Sequence, residues 1–299
     1  MRVVTRGDMD GLVGAVIVSL HEPVEDIELI HPQDITSGQA EIRSGDVLIN
    51  VPYHPACSLW FDHHQHTATY EKPPERFEGA YGNAPSAAHL VYEYFGGRAK
   101  MPQLAALVHE TDRMDSADLT PQDVIDPKGF IQLGFTIDAR TGIGAFRGYF
   151  QTLFDLLRAG TSIEEILAHP EVARRRERME RGKTEYRIAL REHSRIQANV
   201  VVTDFRPLKQ APVANRFLVY AVFPTVNVSM RVHWGPAKEF VVAVLGHSIF
   251  NRGCNTDLGE LAKRYGGGGH RGAASIPLLL PLEADDKVKE IVAELVRNG

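Results

Sequence analysis

Three short apolar runs that each stop abruptly at polar residues constrain the fold of this 299-residue chain more than any other feature. Val3-Val4-Thr5 runs into Arg6-Gly7-Asp8-Met9-Asp10-Gly11. Val47-Leu48-Ile49 stops at Asn50, and Leu59-Trp60-Phe61 stops at Asp62-His63-His64. Unbroken apolar runs of this length, without in-out alternation, are strands buried on both faces. The longer helix-like stretches between them, beginning with Leu12 to Leu20, supply crossovers, so the expected first-half architecture is α/β with a mostly parallel sheet and flanking helices. Parallel strands all end at one sheet edge, where open α/β sheets gather their ligands. The acidic turn, Asn50 and the Asp-His-His run are therefore expected to meet in one crevice.

Ser86 is placed to cap a helix that Gly96-Gly97 closes, and a further helix from Leu104 carries Glu110, Asp112 and Asp115. From Ile163 to about Gln197 the pattern is strongly helical. Its Arg174-Arg175-Arg176-Glu177-Arg178 block reads as a solvated face, since acidic residues are interleaved with it. Beyond it, Val200 to Val202, Phe217 to Val222 and Phe240 to Leu245 read as strands. This switch predicts two domains, 1–185 and a smaller α/β domain at 198–299, with the long helix as connector.

A formal charge of −5 excludes broad, sequence-independent nucleic-acid binding, which needs a large excess of Lys and Arg, and long duplex DNA is not an expected partner. Cys57 and Cys254 are the only cysteines and lie far apart, so a disulfide framework is not expected and a reducing cytoplasm fits. Asp8 and Asp10 interrupt any signal-like apolar stretch, and no uncharged apolar run approaches the roughly 18 residues that span a bilayer, so no membrane segment is expected. A homodimer is compatible with the sequence, although no motif calls for one.

Asp8 and Asp10 sit on the turn after the first strand, where they read either as a simple helix cap or, together with histidine, as ligands of Mn²⁺ or a similar borderline-hard ion. Asp62-His63-His64 reads alone as a polar loop. Beside the acidic turn, one imidazole can bind metal while the other faces substrate, its tautomer fixed by a carboxylate such as Asp62. His66 reads as an ordinary surface residue. Near the C-terminus, Gly266 to Ser275 reads GGGGHRGAAS after Asn251-Arg252. Either it is a flexible turn, or its backbone N–H groups, with His270 and Arg271, approach an anion at a small-residue helix start.

Asp8-x-Asp10, Asp62-His63-His64, Asp112 in His109-Glu110-Thr111-Asp112-Arg113, and Gly267-Gly268-Gly269-His270 occur in an order that resembles the DHH/DHHA1 phosphoesterases. That family includes RecJ-type exonucleases, oligoribonucleases that also dephosphorylate 3′-phosphoadenosine 5′-phosphate, cyclic-dinucleotide phosphodiesterases and exopolyphosphatase-related proteins. The resemblance implies an N-terminal DHH domain with two Mn²⁺ ions, a C-terminal DHHA1 domain that binds substrate, and a cleft between them. It places Asp8, Asp10, His63 and Asp112 on metal-ligand positions and His64 against the scissile phosphate. Asn251, Arg252, Gly268, Gly269, His270 and Arg271 fall in the substrate-binding part.

Two positions depart from the family pattern. Val4 or Arg6 stands where relatives place another ligand, and Asn50 stands where an Asp usually bridges the metals. Asn50 bridges poorly, so one tightly bound ion is expected, held by Asp10, His63 and Asp112 with Asn50 oxygen as a further ligand. Arg6 then pairs with Asp8 and clamps a phosphate oxygen. The competing expectation has Arg6 in solvent and a carboxylate such as Asp115 completing a second site, with Mg²⁺ or another divalent ion as an alternative to Mn²⁺. The implied activity is metal-dependent hydrolysis of a small phosphorylated molecule, short oligonucleotide or polyphosphate by metal-activated water. The alternative is a catalytically weakened phospholigand-binding or regulatory protein that keeps the same cleft.

Overall fold

The computed structural model describes residues 1–64, 74–137, 143–212 and 214–299, so His66 lies outside the described residues. The chain divides into two compact units, Met1–Asp118 with Pro127–Arg176, and Leu119–Asp126 with Glu177–Gly299.

The first unit is built on a five-stranded sheet in the order β2-β1-β3-β4-β5, from β1 (Arg2–Thr5), β2 (Asp26–Leu29), β3 (Val47–Ile49), β4 (Leu59–Asp62) and β5 (Gly79–Tyr81). Every pairing is parallel, and Thr5 aligns with Ile49 as Ile49 aligns with Phe61. Arg6, Asn50 and Asp62 therefore leave their strands at one level. The helix Met9–Ser19 begins at the first turn rather than at Leu12, because Asp8 caps it by accepting from Gly11 N at 2.9 Å. All its residues are buried, which explains why its sequence is apolar on every side. A Cβ at Gly11 would lie 2.3 Å from Thr5 Oγ1 and 2.4 Å from the Arg6 carbonyl oxygen, so only glycine lets the helix start this close to β1. Thr5 Oγ1 in turn donates to the Ile49 carbonyl at 2.9 Å, tying the ends of β1 and β3 together.

The second unit carries a six-stranded sheet in the order β10-β11-β9-β8-β7-β6, from β6 (Ser194–Gln197), β7 (Val200–Asp204), β8 (Val228–Trp234), β9 (Val241–His247), β10 (Gly268–His270) and β11 (Ala273–Leu278). Only β7 and β8 pair parallel. One face packs Val228, Met230, Val232, Ala243, Leu245, Ala274 and Ile276 against the helices Leu258–Lys263 and Ala284–Asn298.

Three local expectations are corrected here. Phe217 to Val222 forms a helix over Leu218–Val222, since a short apolar run has no period to separate strand from buried helix. The long helix Pro170–His193 ends before Ser194, and Ser194–Gln197 becomes an edge strand because it pairs with β7. The small-residue stretch after His270 starts β11 rather than a helix, because it pairs with both β9 and β10. In the arginine block, Arg175 stacks on Tyr149 at 3.8 Å from the ring centre and Arg176 donates to the Leu167 carbonyl. Among the described residues, no helix is long and apolar enough to cross a membrane.

Candidate metal centre

The turn after β1, the loop after β4 and the end of the helix Ala105–Asp115 bring Asp10, His63 and Asp115 together, with one ligand atom from each within 4.8 Å of the others. Asp10 is 1% exposed, and its two oxygens accept from Ala88 N at 2.6 Å and Ala87 N at 3.0 Å. Those amides open the helix Ala87–Tyr94, whose N-terminus is a ready acceptor of negative charge. Ser86 caps the same helix, accepting from His89 N.

His63 is oriented by its backbone. Its Nδ1 lies 3.1 Å from the Ala84 carbonyl, so Nδ1–H donates there and Nε2 is the ring atom turned to the carboxylates, free to bind an ion once its proton is displaced. That Nε2 is 3.1 Å from Asp115 Oδ2 and 3.8 Å from Asp10 Oδ2, yet it is buried with no hydrogen bond of acceptable geometry. Asn50 Oδ1 and Asp62 Oδ2 are buried acceptors without a donor. Acceptors concentrated without donors call for a cation.

The electrostatics agree. Burial pushes the Asp10 carboxyl well above the usual carboxylate range, the charges of Asp115 and Asp8 add to this, and His63 opposes it. Burial alone would lower the His63 pKa, but the Asp115 and Asp10 carboxylates overcome it and hold His63 at about 9. A proton shared among these groups occupies the place where a divalent ion fits, with one imidazole and two carboxylates as donors and solvent access on the Asp115 side.

Asp112 is not part of this cluster. Its carboxylate accepts from Ser86 Oγ at 2.6 Å and sits 2.8 Å from His89 Nδ1, so it braces the helix that holds Asp10. Where Asp112 was expected beside Asp10 and His63, the side chain grouped with them is Asp115, one helical turn further on, and Asp112 bonds Ser86 and His89 instead. Ser86 and His89 were not expected at the site either.

Asp8 is engaged from three sides. Arg6 Nε lies 3.2 Å from its Oδ2, Asn50 Nδ2 lies 3.2 Å from both oxygens, and Gly11 N donates to Oδ1. Asn50 is fully buried with φ of +58°, a left-handed conformation that asparagine tolerates better than most residues. Fully buried Asp62 accepts from His63 N, from His64 N and, at 2.7 Å, from His64 Nδ1. A carboxylate on Nδ1 fixes the imidazole tautomer and leaves proton exchange to Nε2.

Among solved structures, the chain is 34% identical to the pGpG-specific phosphodiesterase PggH from Vibrio cholerae, with a TM-score of 0.89 and coverage of 100% of this chain and 99% of that one. The chain belongs to the DHH/DHHA1 phosphoesterase family. RecJ from Thermus thermophilus in complex with Mn²⁺ shares the fold at 13% identity and a TM-score of 0.58, over 99% of this chain and 52% of that one. An exopolyphosphatase-related protein from Bacteroides fragilis does so at 12% identity and a TM-score of 0.52, over 97% and 90%. No family model matches the chain, and no curated protein does.

The DHHA1-side residues lie in the second unit. Gly268 and Gly269 belong to β10, His270 ends it, and Arg271 forms the turn into β11. The glycine run is thus an edge strand rather than a loop of converging amides. Nothing lies within 4 Å of a Cβ built on Gly268, whereas one on Gly269 would lie 2.3 Å from the Ala273 carbonyl oxygen. Asn251 and Arg252 lie in the loop after β9, anchored to the Thr225 and Ile249 carbonyls. Gly246 pairs with Ala273, so this loop and the β10–β11 turn emerge at the same end of the sheet.

Proposed function

We propose that this protein is a phosphodiesterase that hydrolyses a 5′-phosphorylated dinucleotide of the pGpG kind to two mononucleotides, with Mn²⁺ as its ion. The supporting observation is 34% identity over the full chain to a pGpG-specific phosphodiesterase, in a chain that groups Asp10, His63 and Asp115 with the donor set a divalent ion takes. One imidazole with carboxylates suits a borderline-hard ion. When bound, such an ion acidifies water and offsets charge on phosphoryl oxygens.

The remaining work falls to the chain. Asp10, His63 and Asp115 hold the ion, while Asp112, Ser86 and His89 fix the helix that positions Asp10. The Asp62–His64 pair supplies Nε2 to donate a proton as water adds to phosphorus, the bond to the 3′-oxygen breaks and that oxygen is protonated. Two GMP leave for each pGpG and water consumed. Asp8 is held by Arg6 and Asn50, so we assign it to positioning rather than to a second ion, and assign Arg6 to a phosphate oxygen. Asn251, Arg252, Gly268, Gly269, His270 and Arg271 are proposed as the substrate-holding group of the second unit.

Incubation with Mn²⁺ and pGpG, followed by chromatography, tests this: two equivalents of GMP are expected. Faster turnover of 3′-phosphoadenosine 5′-phosphate, a cyclic dinucleotide or short polyphosphate would reassign the substrate. Binding of pGpG without turnover would support the weakened, ligand-binding reading that the occupied Asp8 carboxylate favours.

A further inference from the structure

Side chains of a sheet alternate between its faces, and directly paired residues share a face. In the second unit, the face opposite the core helices carries a row formed by Gly268, Ser275, Val244, Arg231, Thr203 and Ser194. The adjacent row carries His270, Ala273, Gly246, Ser229 and Val201. His270, already assigned to substrate, therefore shares a face with Arg231.

Arg231 is half-buried, its Nε is inaccessible to solvent, and its side chain makes no hydrogen bond or ion pair among the described residues. The neighbouring polar groups are committed elsewhere. Thr203 Oγ1 bonds Ser194 Oγ at 2.7 Å, Ser229 Oγ bonds Tyr220 OH at 2.8 Å, and His233 Nδ1 lies 2.9 Å from the Trp234 carbonyl. The other strongly shielded arginines are treated differently: Arg2 pairs with Asp46 at 2.6 Å, and Arg206 with Asp204 and Asp285 at 2.6 and 2.7 Å. Of the two described arginines whose Nε is buried without a bond, Arg176 donates from Nη1 to the Leu167 carbonyl, whereas the Arg231 side chain bonds no group. With Nε enclosed and no partner for its charge, the guanidinium has its Nη atoms left to meet an anion arriving from outside.

We infer that Arg231 binds the 5′-phosphate of a 5′-phosphorylated dinucleotide and so determines the preference for that substrate over an unphosphorylated one. The inference rests on the proposed phosphodiesterase reading. His270 on β10 and Arg231 on β8 are three strand spacings apart, about 14 Å. The terminal and bridging phosphates of a dinucleotide lie closer together than this backbone spacing, and the long arginine side chain and the imidazole on the shared face cover the difference. The planar guanidinium matches two phosphate oxygens, and a phosphate supplies the missing negative charge.

Calorimetric binding of pGpG, GpG and pApA to the metal-free full-length chain tests this without turnover. The wild type is expected to bind pGpG about tenfold to a hundredfold more tightly than GpG, the strength of a charge-assisted contact. Arg231→Gln should erase that margin for pGpG and pApA alike, and Arg231→Lys should keep part of it. Arg231→Met should melt at or above the wild-type temperature. Equal weakening of pGpG and GpG by Arg231→Gln, a wild type with no preference for pGpG, or a marked drop in melting temperature for Arg231→Met would each overturn the inference. A wild type that shows the preference but does not hydrolyse pGpG with Mn²⁺ refutes the enzymatic reading and leaves Arg231 in place; hydrolysis without the preference does the reverse.

Discussion

Asn50→Asp tests whether Asp8 is held by donors rather than by a second ion. The new carboxylate would keep the shape of Asn50 and stand about 3.2 Å from both oxygens of Asp8, where the Nδ2 donor now lies. Two unit charges at that separation repel by about 5 kcal/mol at an effective dielectric constant near 20. Two charge-assisted hydrogen bonds are lost as well. The folded protein can escape by protonating the new group, which at pH 7 costs about 4 kcal/mol for a carboxyl of ordinary pKa near 3.9, and this caps the penalty. In EDTA at pH 7 the variant should therefore melt roughly 10 °C below wild type. The sign follows from a pKa raised in the folded state: the deficit grows as pH rises from the unfolded value near 3.9, is full only above the raised folded value, and disappears as pH falls to about 4. Added Mn²⁺ should restore the melting temperature and raise bound manganese, by elemental analysis, from about one to about two ions per chain. An unchanged melting temperature in EDTA with unchanged metal content, or two ions already bound by the wild type, would refute the reasoning.

Three further outcomes are expected. Asp115→Asn should weaken metal retention by at least tenfold while Asp112→Asn keeps it and loses thermal stability, read by elemental analysis and melting; the reverse pattern would return Asp112 to the ion. Asp62→Asn should lower kcat on pGpG by about a hundredfold or more with metal content retained, because the imidazole loses the acceptor on Nδ1. Burial holds the His247 pKa below its ordinary value, with Arg271 and His270 adding to this, so the unfolded chain takes up a proton before the folded one does. Stability should be level above about pH 6.5 and decline below it, and His247→Gln should flatten that decline in melting curves at pH 5.5 and 7.5.

What the sequence determined by itself is the sheet edge. Short apolar runs that end in Arg6, Asn50 and Asp62 can be buried together only as parallel strands, and parallel strands deliver their following residues to one side. Asp10 and His63 follow from that rule, as does Asp8 beside Asn50. The helix cap by Asp8 and the cap by Ser86 were equally local, because each satisfies amides within three residues. What only the tertiary structure decided were choices between residues of equal local merit. Asp112 and Asp115 share one helix and one turn, and packing against Ser86 and His89 draws Asp112 away while Asp115 meets His63. The glycine run has no side chains to declare its state, so its pairing with β11 made it a strand. Arg231 is one of 33 basic residues in the sequence. Its isolation appears only when six strands are aligned and every neighbouring polar group is seen to be bonded elsewhere, because a missing partner is a property of a surrounding and not of a residue.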